Sequence, residues 1–248
     1  MAAPMLADLR VISSKAPAAL MPRLLERLCG PMGLSWEHEA LGGVEAAARI
    51  RMSQGMGCDI AVLERAALEA LAEEGLILSS SLTDVVLSRT AIATAQDVPA
   101  PDVASVAGLT MALRASPSIG YSTGPSGRAL LRLIEQWGLL HELQDRLIQA
   151  PAGVPVGRLM VEGRVAMGFQ QLSELRGMQG LHILGLMPPG AEIDTVFSAA
   201  VLSVSVRPEL AARVVAGMAS AELAALRREC GFDEAPVRRG AGSGDMER

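Results

Sequence analysis

The chain is organised around the stretch GYSTGPSGRALLRLIEQWG, residues 120–138, which has the pattern of a strand end, a tight loop and an amphipathic helix. Its apolar residues recur with the i, i+3, i+4, i+7 spacing of one helix face, and a tight Gly/Ser/Thr/Pro loop precedes them. Pro125 suits a first helical turn, and Ser122, Thr123 or Ser126 can cap it. The free backbone N–H groups of such a turn suit an anion. A plain, well-capped connection fits the pattern equally, because no phosphate-loop lysine is present.

Length and composition are compatible with two lobes or one large domain. Of the 248 residues, half are hydrophobic and only 2% are aromatic, so Ala, Leu, Val and Met must fill the core. A net charge of −5 without a Lys/Arg run argues against a nucleic-acid partner. Cys29, Cys58 and Cys230 lie far apart, and the three histidines are scattered. These spacings predict no disulfide framework, no metal site and no cofactor.

The N-terminus carries no sign of a secretory signal. The first ten residues lack a charged segment followed by a long apolar run, and no stretch of the chain is long and apolar enough to span a membrane. We therefore expect a cytoplasmic protein without membrane insertion if Met1 is the natural start. If a signal was removed, the expected location is periplasmic.

Strands and helices alternate along both halves of the chain, which predicts parallel sheets covered by helices. The predicted order begins with strand 9–14, helix 15–29, strand 34–39, helix 44–52, strand 59–63 and helix 64–74. A long β-rich segment at 81–95 interrupts this order, and a second one follows at 194–206. Helices at 208–218 and 219–230 close the predicted order.

Two interrupted α/β units predict a bilobed protein with mixed sheets, helices on both faces and a ligand cleft between the lobes. The crossovers are expected near 82–95 and 188–200. Residues 1–84 and 193–248 then form lobe I, residues 85–192 form lobe II, and 233–248 is expected to be a flexible tail.

Five motifs resemble the type 2 periplasmic binding proteins, in the branch of the molybdate-binding proteins, over about residues 9–231. They are LRVISS (9–14), LGGVEAAARI (41–50), GYSTGPSG (120–127), GVPVG (153–157) and GFQQLSEL (168–175). The last three motifs are also similar to the aconitate isomerases, enzymes on the same fold that move a double bond within a tricarboxylate. The resemblance implies a small anionic ligand, either a carboxylate or an oxyanion, and an ABC transporter as partner if the protein is exported.

One departure separates the two branches. Molybdate-binding members resemble one another in a Gly-x-x-Tyr segment whose tyrosine helps to hold the oxyanion, whereas this chain has Gly168-Phe-Gln-Gln171. Together with the missing signal, this departure favours an isomerase over a transport protein.

The candidate ligand-binding residues follow predicted strands or begin predicted helices, apart from an arginine in the first crossover. They are Ser13, Ser14, Lys15, Gly43, Val44, Arg89, Ser122, Thr123, Gly124, Ser126, Gln170, Gln171 and Ser173. Structural alternatives stay open: the paired serines can simply cap a helix, and Lys15 can point to solvent. Arg89 needs a partner because an unpaired buried charge is costly, and either a bound carboxylate or an internal Asp/Glu can supply it.

Two titratable residues are candidates for proton transfer. Glu174 follows the predicted strand on the cleft side, although a first-turn helix glutamate is often simply solvated. Tyr121 is the single tyrosine, and strand alternation can equally direct its ring into the core. With these residues the sequence favours a cytoplasmic isomerase that shifts an allylic proton in an unsaturated di- or tricarboxylate. The alternative is a binding protein for molybdate-like oxyanions or small carboxylates.

Overall fold

Nine strands and ten α-helices make up the part of the chain that the computed structural model describes, residues 7–52 and 57–236. The strands are β1 Leu9–Ser14, β2 Trp36–Leu41, β3 Ile60–Glu64, β4 Thr83–Ala95, β5 Ile119–Tyr121, β6 Leu147–Gln149, β7 Met167–Gln171, β8 Leu181–Leu186 and β9 Asp194–Val201. The helices are α1 Met21–Cys29, α2 Gly43–Met52, α3 Arg65–Glu73, α4 Val106–Ala115, α5 Pro125–Gln136, α6 Leu140–Leu143, α7 Val156–Val161, α8 Leu172–Leu175, α9 Pro208–Met218 and α10 Ala224–Glu229.

Strand β4 belongs to both halves of the sheet, whose order is β2-β1-β3-β9-β4-β7-β5-β6 with β8 also paired to β4. Its residues 83–89 pair with β9, and its residues 90–95 pair with β7 and β8. In the first lobe β1, β2 and β3 are parallel and β9 is antiparallel to β3. In the second lobe β5, β6 and β7 are parallel. The predicted two-lobed α/β fold with mixed sheets is confirmed.

Each half of the sheet has an apolar core on both faces. In β1, Leu9 and Val11 pack into one cluster with α1 and α9, while Ile12 packs into another with α2 and α3. This alternation follows from the two-residue period of a strand. The second lobe repeats the arrangement, with Phe169 and Ile134 in one cluster and buried Ala, Val, Leu and Met side chains in the other. Aliphatic side chains therefore fill most of the core, as the scarcity of aromatic residues requires.

Some element boundaries differ from those predicted. The first helix begins at Met21 instead of Lys15, because residues 15–20 form turns in which Pro17 O accepts hydrogen bonds from Leu20 N and Met21 N. Pro22 lies in the first turn of the observed helix, where proline is tolerated because the N–H that it lacks has no partner there. The second long β segment ends at Val201, and the last predicted helix is divided into a short 3₁₀ turn and α10.

The lobe boundaries at 84/85 and 192/193 remain a prediction, while the pairing of β4 changes between Arg89 and Thr90. Asp233 is the first residue of the predicted flexible tail. Its backbone N–H donates to Leu87 O and its carbonyl oxygen accepts from Leu87 N, both at 2.9 Å. Residues 237–248 lie outside the described part. Within residues 7–52 and 57–236, no helix combines the length and apolar character that a bilayer crossing requires.

Candidate anion-binding cleft

A cavity of about 460 Å³ lies between the two lobes. The cavity lies at the carboxyl ends of parallel strands. The strands β1 and β3 end at one edge of the first lobe, and β5 and β7 end at one edge of the second. Many of the predicted site residues line this cavity: Ser14, Lys15, Gly43, Val44, Ser122, Thr123, Gly124, Ser126, Gln170, Gln171 and Glu174. The structure thus brings together residues that are far apart in sequence.

The loop before α5 presents small donors from the second lobe. Gly124 is the N-cap of α5 and forms no side-chain cap bond, while Ser122 Oγ lies 3.1 Å from Ser126 Oγ and 3.2 Å from Gly124 N. The first N–H groups of a helix have no partner within it. Those of Ser126 and Gly127 therefore give this wall a partial positive charge.

The N-terminus of α2 lies in the opposite wall, in the first lobe. Gly42 O accepts the first helical hydrogen bond from Ala46 N at 2.7 Å, so the N–H groups of Gly43 and Val44 lie before the first intrahelical donor. Two helix N-termini from different lobes therefore line one cavity. This arrangement suits a ligand with negatively charged groups at both ends.

Ser14 supplies an unpaired hydroxyl to the cavity wall. Its residue is only 6% exposed, and its Oγ has no hydrogen-bond partner among the described residues. A buried hydroxyl without a hydrogen-bond partner costs free energy. A ligand that accepts a hydrogen bond from this hydroxyl recovers that cost. The neighbouring Ser13 is already satisfied, because its Oγ lies 2.8 Å from His38 Nε2 and donates to Ser14 O at 2.9 Å.

Glu174 contributes a half-buried carboxyl group to the cleft wall. Burial raises its pKa, and the hydrogen bond from Gln170 and the charge of Lys15 oppose that rise in part. Gln170 donates from Nε2 to Glu174 Oε2 at 2.7 Å, while its Oε1 accepts from Gly157 N at 3.1 Å. The amide therefore has one orientation, and it holds one oxygen of the carboxyl group in place.

Three polar contacts join the lobes beside the cavity. Arg128 donates to Glu64 over 2.8 Å, Lys15 Nζ donates to the Gly153 carbonyl, and Ser173 Oγ donates to Ala16 O at 3.0 Å. Sequence reasoning missed Arg128 and Glu64. Their positions carry a signal, since Glu64 ends β3 as Ser14 ends β1, and Arg128 lies in the first turn of α5.

The match to a family model decides the relationship of this chain to known proteins. The model described as bacterial extracellular solute-binding protein matches residues 9–233. The chain belongs to this family. The fold is that of the type 2 periplasmic binding proteins, which confirms the resemblance read from the sequence motifs.

One relative and two solved structures are similar to this chain. The aconitate isomerase of Pseudomonas sp is 30% identical over 199 residues, which are 80% of this chain and 76% of that protein. The periplasmic molybdate-binding protein of Azotobacter vinelandii superposes with a TM-score of 0.76 at 18% identity, over 93% of this chain and 100% of that one. PEB3 with bound L-phospholactate superposes with a TM-score of 0.71 at 10% identity, over 92% of this chain and 100% of that one.

Four predicted site residues lie outside the cavity lining: Ser13, Tyr121, Arg89 and Ser173. The ring of Tyr121 packs against the core of the second lobe, which is the alternative that strand alternation left open. Arg89 pairs with an internal acid, since its Nε lies 2.6 Å from Asp233 Oδ2 and both side chains are about half exposed. We therefore assign neither residue to the cleft.

Gln171, another polar residue of the cleft, forms its side-chain hydrogen bonds within the protein. Gln171 accepts from Ser88 Oγ at 2.8 Å and donates to Thr195 Oγ1 at 2.9 Å, so its amide fixes β7 against β4 and β9. Among the residues that the structure describes, no three His, Cys, Asp or Glu side chains cluster so as to hold a metal ion. The cleft chemistry comes from N–H groups, Ser14, Lys15 and Glu174.

Proposed function

We propose that this protein is an isomerase of a small unsaturated di- or tricarboxylate, which it binds between the lobes and changes by an allylic proton shift. The half-buried carboxyl group of Glu174 in the cavity wall, held by Gln170, carries this proposal. The 30% identity to an aconitate isomerase supports the choice of reaction class.

A carboxyl group with restricted access to water is costly in a protein that only binds anions. If Glu174 is ionised, it repels an anionic ligand and loses solvation, and both effects weaken binding. For a proton-transfer enzyme the same burial is useful, because it raises the pKa toward the pH at which the group must both accept and return a proton. Glu174 therefore fits an enzyme better than a simple binding protein.

The cleft residues divide the chemical tasks between them. The helix N-termini at Gly43 and Ser126 and the free hydroxyl of Ser14 anchor the substrate carboxylates. Glu174 removes a proton from the carbon next to the double bond, and the electron pair delocalises into the adjacent carboxylate. The double bond moves by one position when Glu174 returns the proton to the far allylic carbon. Lys15 lies close enough to lower the pKa of Glu174, so its ammonium group stabilises the ionised carboxylate at the start of this cycle.

Deuterium exchange tests this reaction directly. Wild-type protein in D₂O with cis-aconitate, trans-aconitate and related unsaturated acids should convert isomers or incorporate deuterium at the allylic carbon, as followed by NMR. Glu174→Gln keeps the size of the side chain and removes the proton acceptor, so it should lower the rate by roughly a hundredfold or more while the ligand still binds. Glu135→Gln, on the exposed side of α5, is the charge-matched control and should react as the wild type does.

A solute-binding role is the second candidate, with an ABC transporter as partner. The family and the likeness to a molybdate-binding protein favour it, and it needs the same N–H groups but no base. If none of the acids exchanges deuterium, and molybdate or tungstate alone raises the melting temperature, the isomerase proposal is refuted in favour of this role.

A further inference from the structure

The cavity continues beyond the helix N-termini along one face of α2. Val44, Ala47, Ala48 and Arg51 line it, and these four positions have the i, i+3, i+4, i+7 spacing of a single helix face. At a rise of about 1.5 Å per residue, this face extends roughly 10 Å away from the anion-binding end. We call this part of the cavity the α2 channel.

Short apolar side chains line the middle of the α2 channel, while Val44 and Arg51 at its two ends are exposed. Ala67 of α3 and Leu63 of β3 line the cavity together with Ala47 and Ala48 of α2. Arg51, at the far end, donates to both oxygens of Glu74 at 2.5–3.1 Å. Because that guanidinium group already has a bidentate carboxylate partner, it has little need of a second one from a ligand. The channel therefore matches an uncharged, aliphatic group.

The volume of the cavity exceeds what a small inorganic anion requires. The lobes already touch through Arg128–Glu64 and Lys15–Gly153, so the volume of about 460 Å³ belongs to a cleft whose lobes are in contact. A cavity of this size falls in the range of about 300–1,000 Å³ that is usual for drug-sized ligands. The position of the polar end is marked by Ser14, whose unpaired and nearly buried hydroxyl lines the same cavity.

We infer that the ligand is an unsaturated dicarboxylate with an aliphatic arm, whose carboxylates face Ser14 and the helix N-termini and whose arm lies in the α2 channel. Only the double bond of this ligand is taken from the proposed function. The expected dependence of affinity on the length of the arm comes from burial of the arm and is independent of any reaction.

Calorimetric titration with 2-alkylmaleates that carry methyl, propyl or pentyl groups tests this inference. Each added methylene should tighten binding to the wild type about fourfold, equivalent to about 0.8 kcal/mol of buried CH₂. Ala48→Leu fills the channel from α2, so the pentyl compound should then bind no tighter than the methyl compound. Ala67→Leu fills the channel from α3 and should have the same effect, so the test does not depend on the folding of a single variant. Ala115→Leu, at the exposed end of α4, is the matched control and should keep the gradient.

An affinity that stays constant or falls with chain length in the wild type overturns the inference, as does loss of the gradient in Ala115→Leu. A retained gradient without deuterium exchange in any of the compounds refutes the isomerase alone. Exchange with aconitate but no gradient refutes the aliphatic arm alone. The two proposals thus fail in different measurements.

Discussion

Replacing Gly127 with alanine should disrupt the loop that supplies the N–H groups of the second lobe. A Cβ atom at this position would lie 1.8 Å from the carbonyl oxygen of Ser122, 2.8 Å from its carbonyl carbon and 2.9 Å from its nitrogen. All three atoms belong to the backbone, so no change of rotamer relieves the contact. Only glycine lets the loop fold back this closely on the first turn of α5.

The expected cost follows from two opposing terms. Gly→Ala inside a helix gains up to about 1 kcal/mol from helix propensity alone. Overpacking against a fixed neighbour costs typically 1–3 kcal/mol and occasionally more, and a contact as short as this lies at the upper end. We expect a net loss of about 2 kcal/mol, which for a chain of this length corresponds to a melting temperature roughly 4–8 °C lower.

Gly124→Ala is the matched control in the same loop. Its added Cβ would meet Ser122 Oγ at 3.5 Å, an ordinary contact, and its φ of −80° suits any residue. The control should lose about 0.5–1 kcal/mol, because glycine is a better N-cap residue than alanine. Thermal and urea unfolding measure both variants, and titration with cis-aconitate measures the loop as a binding element. A Gly127→Ala protein as stable as the wild type, or no less stable than Gly124→Ala, would refute the reasoning.

Three further predictions concern Glu174 and Ser14 in the cleft wall and the neighbouring Ser13. Because burial raises the pKa of Glu174 above its usual value, this group favours the native state below the ordinary carboxyl pKa and loses that contribution as pH rises through the raised pKa. The melting temperature of Glu174→Gln should therefore increase relative to wild type between pH 4 and pH 8. No trend would show that the group is solvated, and an opposite trend would show that Gln170 and Lys15 lower its pKa. Ser14→Ala should leave the free energy of unfolding unchanged or higher, because it removes an unpaired buried hydroxyl, but weaken cis-aconitate binding about tenfold. Ser13→Ala, which loses its bond to His38, should instead cost about 1 kcal/mol of stability in urea unfolding.

The sequence alone was sufficient for the architecture and for many residues of the cleft. Hydrophobic periodicity is a local property, so the predicted strand at 9–14 and the helix at 208–218 agree with the structure residue for residue. The cleft residues after β1 and β7 could be placed because loops after parallel strands meet at one edge of a sheet. The cytoplasmic location and the assignment of roles to site residues stay predictions.

Only the tertiary structure decided which polar side chains face the cleft and which bind within the protein. Tyr121 and Arg89 lie in strands whose successive side chains point to opposite faces, so a sequence cannot say which face meets the ligand. The pairs Arg128–Glu64 and Lys15–Gly153 join residues 64 and 138 positions apart, and such contacts depend on how the two lobes pack. The sequence determined where donors cluster along the chain because helix starts and strand ends are local. The structure decided which donors remain free, because that depends on partners from distant parts of the chain.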